Sequence, residues 1–402
     1  MLRLAFRNIM RQWARTLLTL AAIILGVTSL ILAGGFVADV YEQLRETTIH
    51  SRLGHIQVYR KGYRDFGQRQ PYAHLIPDED RIPGIAANSP HVIDVMQRLN
   101  FSALINNGRV DFPAVGEGIE PDKEARLGTA MTILAGRQLR DDDASGILVG
   151  QGLADALRVG SGDFVTLLVS TPDGALNTQE FEIVGVFQTF SKEYDAHAVR
   201  ISLASARDLL ATAGTHACVL LLDSAVNTDI AMEQVRAFLP TDYESFAWYE
   251  LADFYKKTVD LYSRQFGVLQ FIILLMVVLS VANSVNMTIS ERLGEFGTLQ
   301  ALGQRRARIF RLVLVENVLL GFIGAGAGTC LGIVLALFLS DMGIPMPPPP
   351  GSDMGYEASI HIVPSVLIVA FLVGLASPVL AAVLPARRVA RTDVVAALRQ
   401  NV

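Results

Sequence analysis

The sequence predicts a membrane α-helical protein with four transmembrane helices and a large external α+β domain between helices 1 and 2. Three observations carry that fold class. Four apolar stretches are each long enough to cross a hydrocarbon layer of ~30 Å, which takes ~20 helical residues. Basic residues gather in three clusters: Arg3, Arg7, Arg11 and Arg15; Arg292 with Arg305, Arg306, Arg308 and Arg311; and Arg387, Arg388, Arg391 and Arg399. Block 39–263, between the first two stretches, has the mixed patterning of a folded domain rather than a linker.

Over 1–15, Leu2, Phe6, Ile9, Met10 and Trp13 share one helical face and the four arginines sweep along another, the pattern of an interfacial helix on the inner leaflet. The first span is 16–38. Basic residues ahead of an apolar run that ends in Leu32-Ala33-Gly34-Gly35 imitate a signal peptide, but a signal core runs ~7–15 residues and this one is longer. Within the external block, GILVG, DFVTLLVS, QEFEIVGVF, VRISL and CVLLLD read as strands, and QGLADAL and ASARDLLA as helices. Pro172-Asp173-Gly174 between two alternating runs is a hairpin turn. From Trp248 the chain has neither Pro nor Gly until Gly267, so a helical stalk is expected to continue the second span, 264–289, outward and to carry motion along it.

Segment 290–310 is a charged, helix-prone cytoplasmic loop. Span three, 311–340, leads to a short external loop, 341–361, with no Lys or Arg and with acids Asp341, Asp353 and Glu357. Span four, 362–385, ends in a basic tail, 386–402. Lys and Arg beside short loops mark the cytoplasmic face. Both termini are therefore expected inside and the protein multi-pass in the inner membrane.

No GxxxxGK[ST] phosphate loop occurs, and none of the five lysines follows a glycine-rich turn, so the chain is not expected to hydrolyse ATP. GxSxG and HExxH are absent too, which leaves no catalytic residue to nominate. The seven histidines have no ligand spacing and read as scattered surface or loop residues, and no metal site is expected. Asp141-Asp142-Asp143 lacks the downstream Glu of a calcium loop and reads as a solvated turn. Cys218, external, and Cys330, within span three, are not positioned for a disulfide. No nucleic-acid partner is expected.

Inside the membrane the informative residues are small or polar. Gly324, Gly328 and Gly332 repeat every four positions, which lets another helix approach closely; a neighbour in the same chain is favoured over one in a second copy. Ser280, Asn283, Ser284 and Met287 share one face of span two and read as interhelical glue. Glu316 needs a partner, Arg311 or Arg308, or serves as a hinge contact for the loop.

Three segments, LRLAFRNIMRQWARTLLTLAAIILGV, SERLGEFGTLQALGQRRARIFRLVLVENVLLGFIGAGAG and LPARRVARTDVVAALR, stand in the order of the hallmark segments of MacB/FtsX-type permeases. The chain resembles that family, the membrane subunits of ABC systems that include the lipoprotein-releasing LolC and LolE proteins. ILVGQGLADALRVGSGDFVTLL is similar to its periplasmic domain. Two details depart from the pattern: Phe296-Gly297-Thr298 replaces a more charged run, and Val394 stands where Pro is common.

The resemblance implies a dimer with a second permease copy or paralogue, seated on a cytosolic ABC ATPase dimer that binds ATP and Mg. This chain itself would carry no cofactor. Coupling to the ATPase would fall to Glu291, Leu293, Glu295, Phe296, Leu299, Leu302, Gly303 and Arg305, with the apolar members docking into a cleft on the motor. A lipoprotein or lipid-like cargo could line up against Phe36, Tyr41, Phe266, Phe271 and Met276, and a periplasmic chaperone or adaptor could receive it. Drug or peptide efflux, and signalling to a cell-wall hydrolase, are the other jobs open to such a machine.

Overall fold

A computed structural model describes residues 13–391 apart from 68, 79–81, 83, 85–89 and 348–354. The interfacial face expected over 1–15 and the tail beyond 391 fall outside the described residues, as does the side chain of Leu293. The chain divides into two compact units, one of 1–41, 259–346 and 357–402, the other of 42–258 and 347–356.

The first unit is built from long helices: α1 (Trp13–Thr48), α2 (Asp253–Glu291), the short α3 (Leu293–Ala301), α4 (Arg306–Met342) and α5 (Pro364–Arg391). Four of them, all but α3, contain stretches long and apolar enough to cross a membrane. Helix α1 is their centre, because small residues let neighbours close on it. A Cβ on Gly324, Gly328 or Gly332 of α4 would sit 2.9, 2.9 and 3.0 Å from Ile23, Val27 and Ile31 of α1. Thr28 Oγ1 donates to the Gly328 carbonyl at 3.1 Å, and Gly374 of α5 faces Val27. Gly34 and Gly35, the residues that imitate a cleavage site, lie inside α1, where they face Val366 and the backbone of His361.

Three expectations change here. Of the polar stripe on α2, only Ser284 reaches another helix, through Thr19; Ser280, Asn283 and Met287 are exposed. Glu316 pairs with Arg292, not with Arg308 or Arg311. The stalk is not continuous from Trp248, because one helical turn, Trp248–Leu251, stops at Ala252 before α2 begins.

The second unit is sheet-rich. Its ten strands are β1 (Ile56–Arg60), β2 (Val92–Asn106), β3 (Asp111–Ile119), β4 (Thr132–Gly136), β5 (Gly146–Gly150), β6 (Phe164–Ser170), β7 (Leu176–Gln188), β8 (Ala198–Ser202), β9 (Ala217–Leu222) and β10 (Tyr243–Ala247). Strand β2 does two jobs. Its first half, Val92–Arg98, pairs with β9 in the open sheet β10-β1-β9-β2. Its second half, from Leu99, pairs with β3 and, from Ala103, with β6. Pairings β3 with β8, β8 with β5, β5 with β7 and β7 with β6 then bring the path back to β2, a closed barrel of six strands. Closure removes the edges that a sheet otherwise exposes.

The alternation of β6, with Val165, Leu167 and Val169 inward, fills that barrel together with Phe101, Ile105, Phe181, Ile183 and Ile201. Gly174, at φ +82°, closes the β6–β7 hairpin where a side chain would be strained. Strand β9 is buried along its whole length, which explains its continuous apolar run.

Polar groups are buried in this unit as well. His55 and His216 lie in bends outside the strands, as the loop reading has it, but are enclosed rather than on the surface. His216 Nδ1 accepts from the Asn100 N–H at 3.0 Å while Nε2 lies 2.9 Å from the Pro71 carbonyl, a neutral tautomer. Burial pushes both imidazoles down to about 4. Arg98 forks onto Glu124, and Glu117 lies between Arg52 at 3.0 Å and Arg200 at 3.2 Å. Burial alone raises the Glu117 carboxyl, but Arg52, Arg200 and Arg98 outweigh it and hold the group at about 2.

Candidate functional site

Helix α3 sits between α2 and α4 and has two different sides. Glu295 and Phe296 form its first turn. Phe296 is 1% exposed and packs in a cluster with Val285, Ile289, Ile309 and Val313. It is therefore not available to a docking partner, contrary to the expectation that the apolar residues of this segment all face outward. Leu299 is half-buried against the same cluster. Leu302 is 77% exposed.

The helix ends in a left-handed glycine. The N–H groups of Leu302, Gly303 and Gln304 turn back to the carbonyls of Thr298, Gln300 and Leu299, and Gly303 has φ +85° with open space where a Cβ would be. Arg305 is extended at the start of α4, and Arg305, Arg306 and Arg308 are exposed, as is Glu291 at the end of α2. Among the described side chains, the outward side of this segment is thus the large apolar Leu302 followed by basic residues.

Its inward side is held by a charge. Arg292, in the break between α2 and α3, donates from Nη1 to Glu316 Oε2 at 2.6 Å, from Nη2 to Oε1 at 3.3 Å and from Nε to Glu295 Oε2 at 3.2 Å. Sequence reasoning missed this pair. An Arg at the end of one span and a Glu inside the next were visible, but a contact across 24 positions has no local signature.

The residues nominated to line a cargo cleft separate. Phe36 and Phe266 stack edge to face at 6.3 Å, closing α1 on α2. Tyr41 is half-buried on α1, and Met276 is exposed on α2. Phe271 lines an open groove of about 460 Å³ with Leu30 of α1, Leu274 of α2 and Val366, Val369 and Val373 of α5. The groove thus involves three helices, α5 being the wall that the sequence did not nominate. Gly267 and Gln270 form its α2 rim.

Residues 16–238 match the MacB-like periplasmic core domain, and residues 267–394 match the FtsX-like permease C-terminal region. The chain belongs to this MacB/FtsX-type permease family. An uncharacterised ABC transporter permease of Methanocaldococcus jannaschii is 25% identical over 98% of this chain and 96% of its own length. A lipoprotein-releasing system transmembrane protein LolC of Xylella fastidiosa is 25% identical over 93% of this chain and 90% of its own. A macrolide export ATP-binding/permease protein MacB of Shigella sonnei is 26% identical over all of this chain, which spans 60% of that longer protein.

In this permease, then, α1 from residue 16 and the sheet-rich unit up to residue 238 fall in the core-domain match, and the bundle from residue 267 of α2 through α5 falls in the FtsX-like match. Chemically the arrangement offers an apolar groove and an anchored helix with an exposed tip.

Proposed function

We propose that the permease is the membrane subunit of an ABC mechanotransmission system in the inner membrane. A separate cytosolic ATPase dimer, holding ATP and Mg, would push on α3, and the chain would pass that movement to its external domain. The observation that carries this reading is the two-sidedness of α3: Phe296 and Arg292 fix it to its own bundle, while Leu302 and the arginines beyond it are left outward. A segment used only for packing has no reason to present a leucine at its helix cap to solvent; one that docks in a groove does. The Arg clusters support placement of this side and both termini in the cytoplasm.

The cargo we assign is a lipoprotein or similar amphipathic molecule, extracted or released from the inner membrane and passed to an external chaperone or adaptor. Support comes from the apolar walls of the α1–α2–α5 groove, which suit acyl chains better than polar solutes. A second permease, identical or paralogous, would complete the assembly. A photo-crosslinker at Phe271 tests the cargo, with capture of a lipid-modified protein expected and its release on ATP addition. Drug or peptide capture instead would favour efflux, the reading that the similarity to MacB supports equally. Pulldown of the ATPase subunit by Leu302→Asp tests the motor contact; undiminished binding and undiminished ATPase turnover would place that contact elsewhere.

A further inference from the structure

The buried Arg292–Glu316 pair is larger in consequence than packing requires. Both side chains are less than a tenth exposed, beside an apolar cluster made of Val, Ile and Ala with Phe296. Buried ion pairs seldom add net stability, since desolvating two charges offsets their attraction, and apolar replacements are often as stable or more so. What such a pair supplies is direction. The planar guanidinium forks onto one carboxylate with two nitrogens, and its third holds Glu295 of α3. Its Cζ lies 5.1 Å from the centre of the Phe296 ring, so the one guanidinium gathers Glu295 and Phe296 of α3 and Glu316 of α4.

A cavity of about 40 Å³ flanks the pair, bordered by Thr16, Thr288 and Asn317. The Asn317 side-chain oxygen faces no hydrogen-bond partner among the described residues. The joint is therefore not locked in apolar packing on that side. Apolar contacts alone would let α3 slide or roll on α4, because dispersion has little directional preference. A bidentate charged fork does not permit rolling without losing both bonds.

We propose that Arg292 and Glu316 are positioning residues, the directional joint by which movement of α3 is handed to α4. This rests on the coupling reading above and deepens it. The test needs no motor, so its failure is distinct from failure of the Leu302→Asp experiment. Spin labels at Leu302→Cys and Val334→Cys, in a Cys330→Ser background of the full chain in lipid nanodiscs, report the placement of α3 on α4. The parent should give one narrow distance distribution. Glu316→Gln should broaden it about twofold, because the neutral amide breaks the charged fork and leaves Arg292 only its bond to Glu295 on its own helix.

The double variant R292M/E316L decides between a joint and a mere packing contact. It should keep or raise the thermal midpoint and yet stay as broad as Glu316→Gln. A narrow distribution at the parent's distance in either variant overturns the proposal, and should Glu316→Gln fail to fold, the double variant alone decides.

Discussion

The two units of this permease solve the same packing problem with opposite materials. In the barrel, large side chains such as Phe101, Phe181 and Ile183 interdigitate inside closed strands. Along α1, by contrast, the close approaches involve Gly26, Gly324, Gly328, Gly332 and Gly374. Water explains the difference. A domain in water gains ~25 cal/mol for every Å² of apolar surface buried, so bulk is rewarded. Helices among lipid tails gain nothing of that kind by meeting, and close backbone approach takes its place. The buried charges follow the same division: five charged residues form a network in the sheet unit, whereas in the bundle Arg292 joins Glu316 and Glu295 in a smaller group.

The comparison breaks most readily at the barrel. Phe181→Ala should lose ~3–5 kcal/mol, because a closed barrel cannot collapse into the void. Denaturant unfolding followed through Trp248, buried beside Tyr255, measures it. A loss below about 1 kcal/mol would show that the barrel relaxes as freely as a helix pair.

Acid should come next, and it should act on the sheet unit. Glu117 has a folded value of about 2, against ~4.3 when unfolded. Its stabilisation, about 3 kcal/mol, is complete above the unfolded value and lost as pH falls through the folded one. His216 and His55, at about 4 when folded, sit below their unfolded ~6.5. The unfolded chain therefore binds their protons first, and stability also drops as pH falls from 6.5 towards 4. Thermal midpoints should decline across both windows in the parent, whereas Glu117→Gln should flatten the lower one.

In the bundle, Gly328→Leu should cost ~1–3 kcal/mol through overpacking, since even a Cβ there would lie 2.9 Å from Val27 and 3.0 Å from the Ile24 carbonyl. Gly326, which has open space, supplies the control: Gly326→Leu should leave the midpoint in place. Equal effects at the two positions would remove close approach as the organising principle of this unit. Smallest in stability is Leu302→Asp, which should stay within about 0.5 kcal/mol of the parent because the side chain touches little. Orientation adds a topological check. Cysteine at exposed Leu176 should react with an impermeant thiol reagent from outside intact cells, and cysteine at Gln304 should not.

Part of the candidate region could be nominated from the sequence and part could not. The sequence nominates Leu302 and Gly303 only as coupling residues, and the structure puts a left-handed helix cap there. Phe296 looked like its neighbours because periodicity gives a face but not which body the face meets. Its burial became visible only once Ile309 and Val313 of α4 were folded over it. Asp39 is a similar case. Read as the start of the external block, it is buried and accepts from the Ser359 N–H at 3.0 Å and from its hydroxyl at 2.6 Å.

By itself the sequence determined the four apolar helices, the strands β5 to β9 of the external block and the glycine seam, because each is written in local length, period or spacing. Only the tertiary structure decided that β2 serves both an open sheet and a closed barrel, that α5 walls the groove, and that Arg292 answers Glu316. These are pairings between residues far apart in the chain. Nothing in the local pattern ranks one distant partner above another until the chain has closed and every buried donor, charge and cavity must be matched at once.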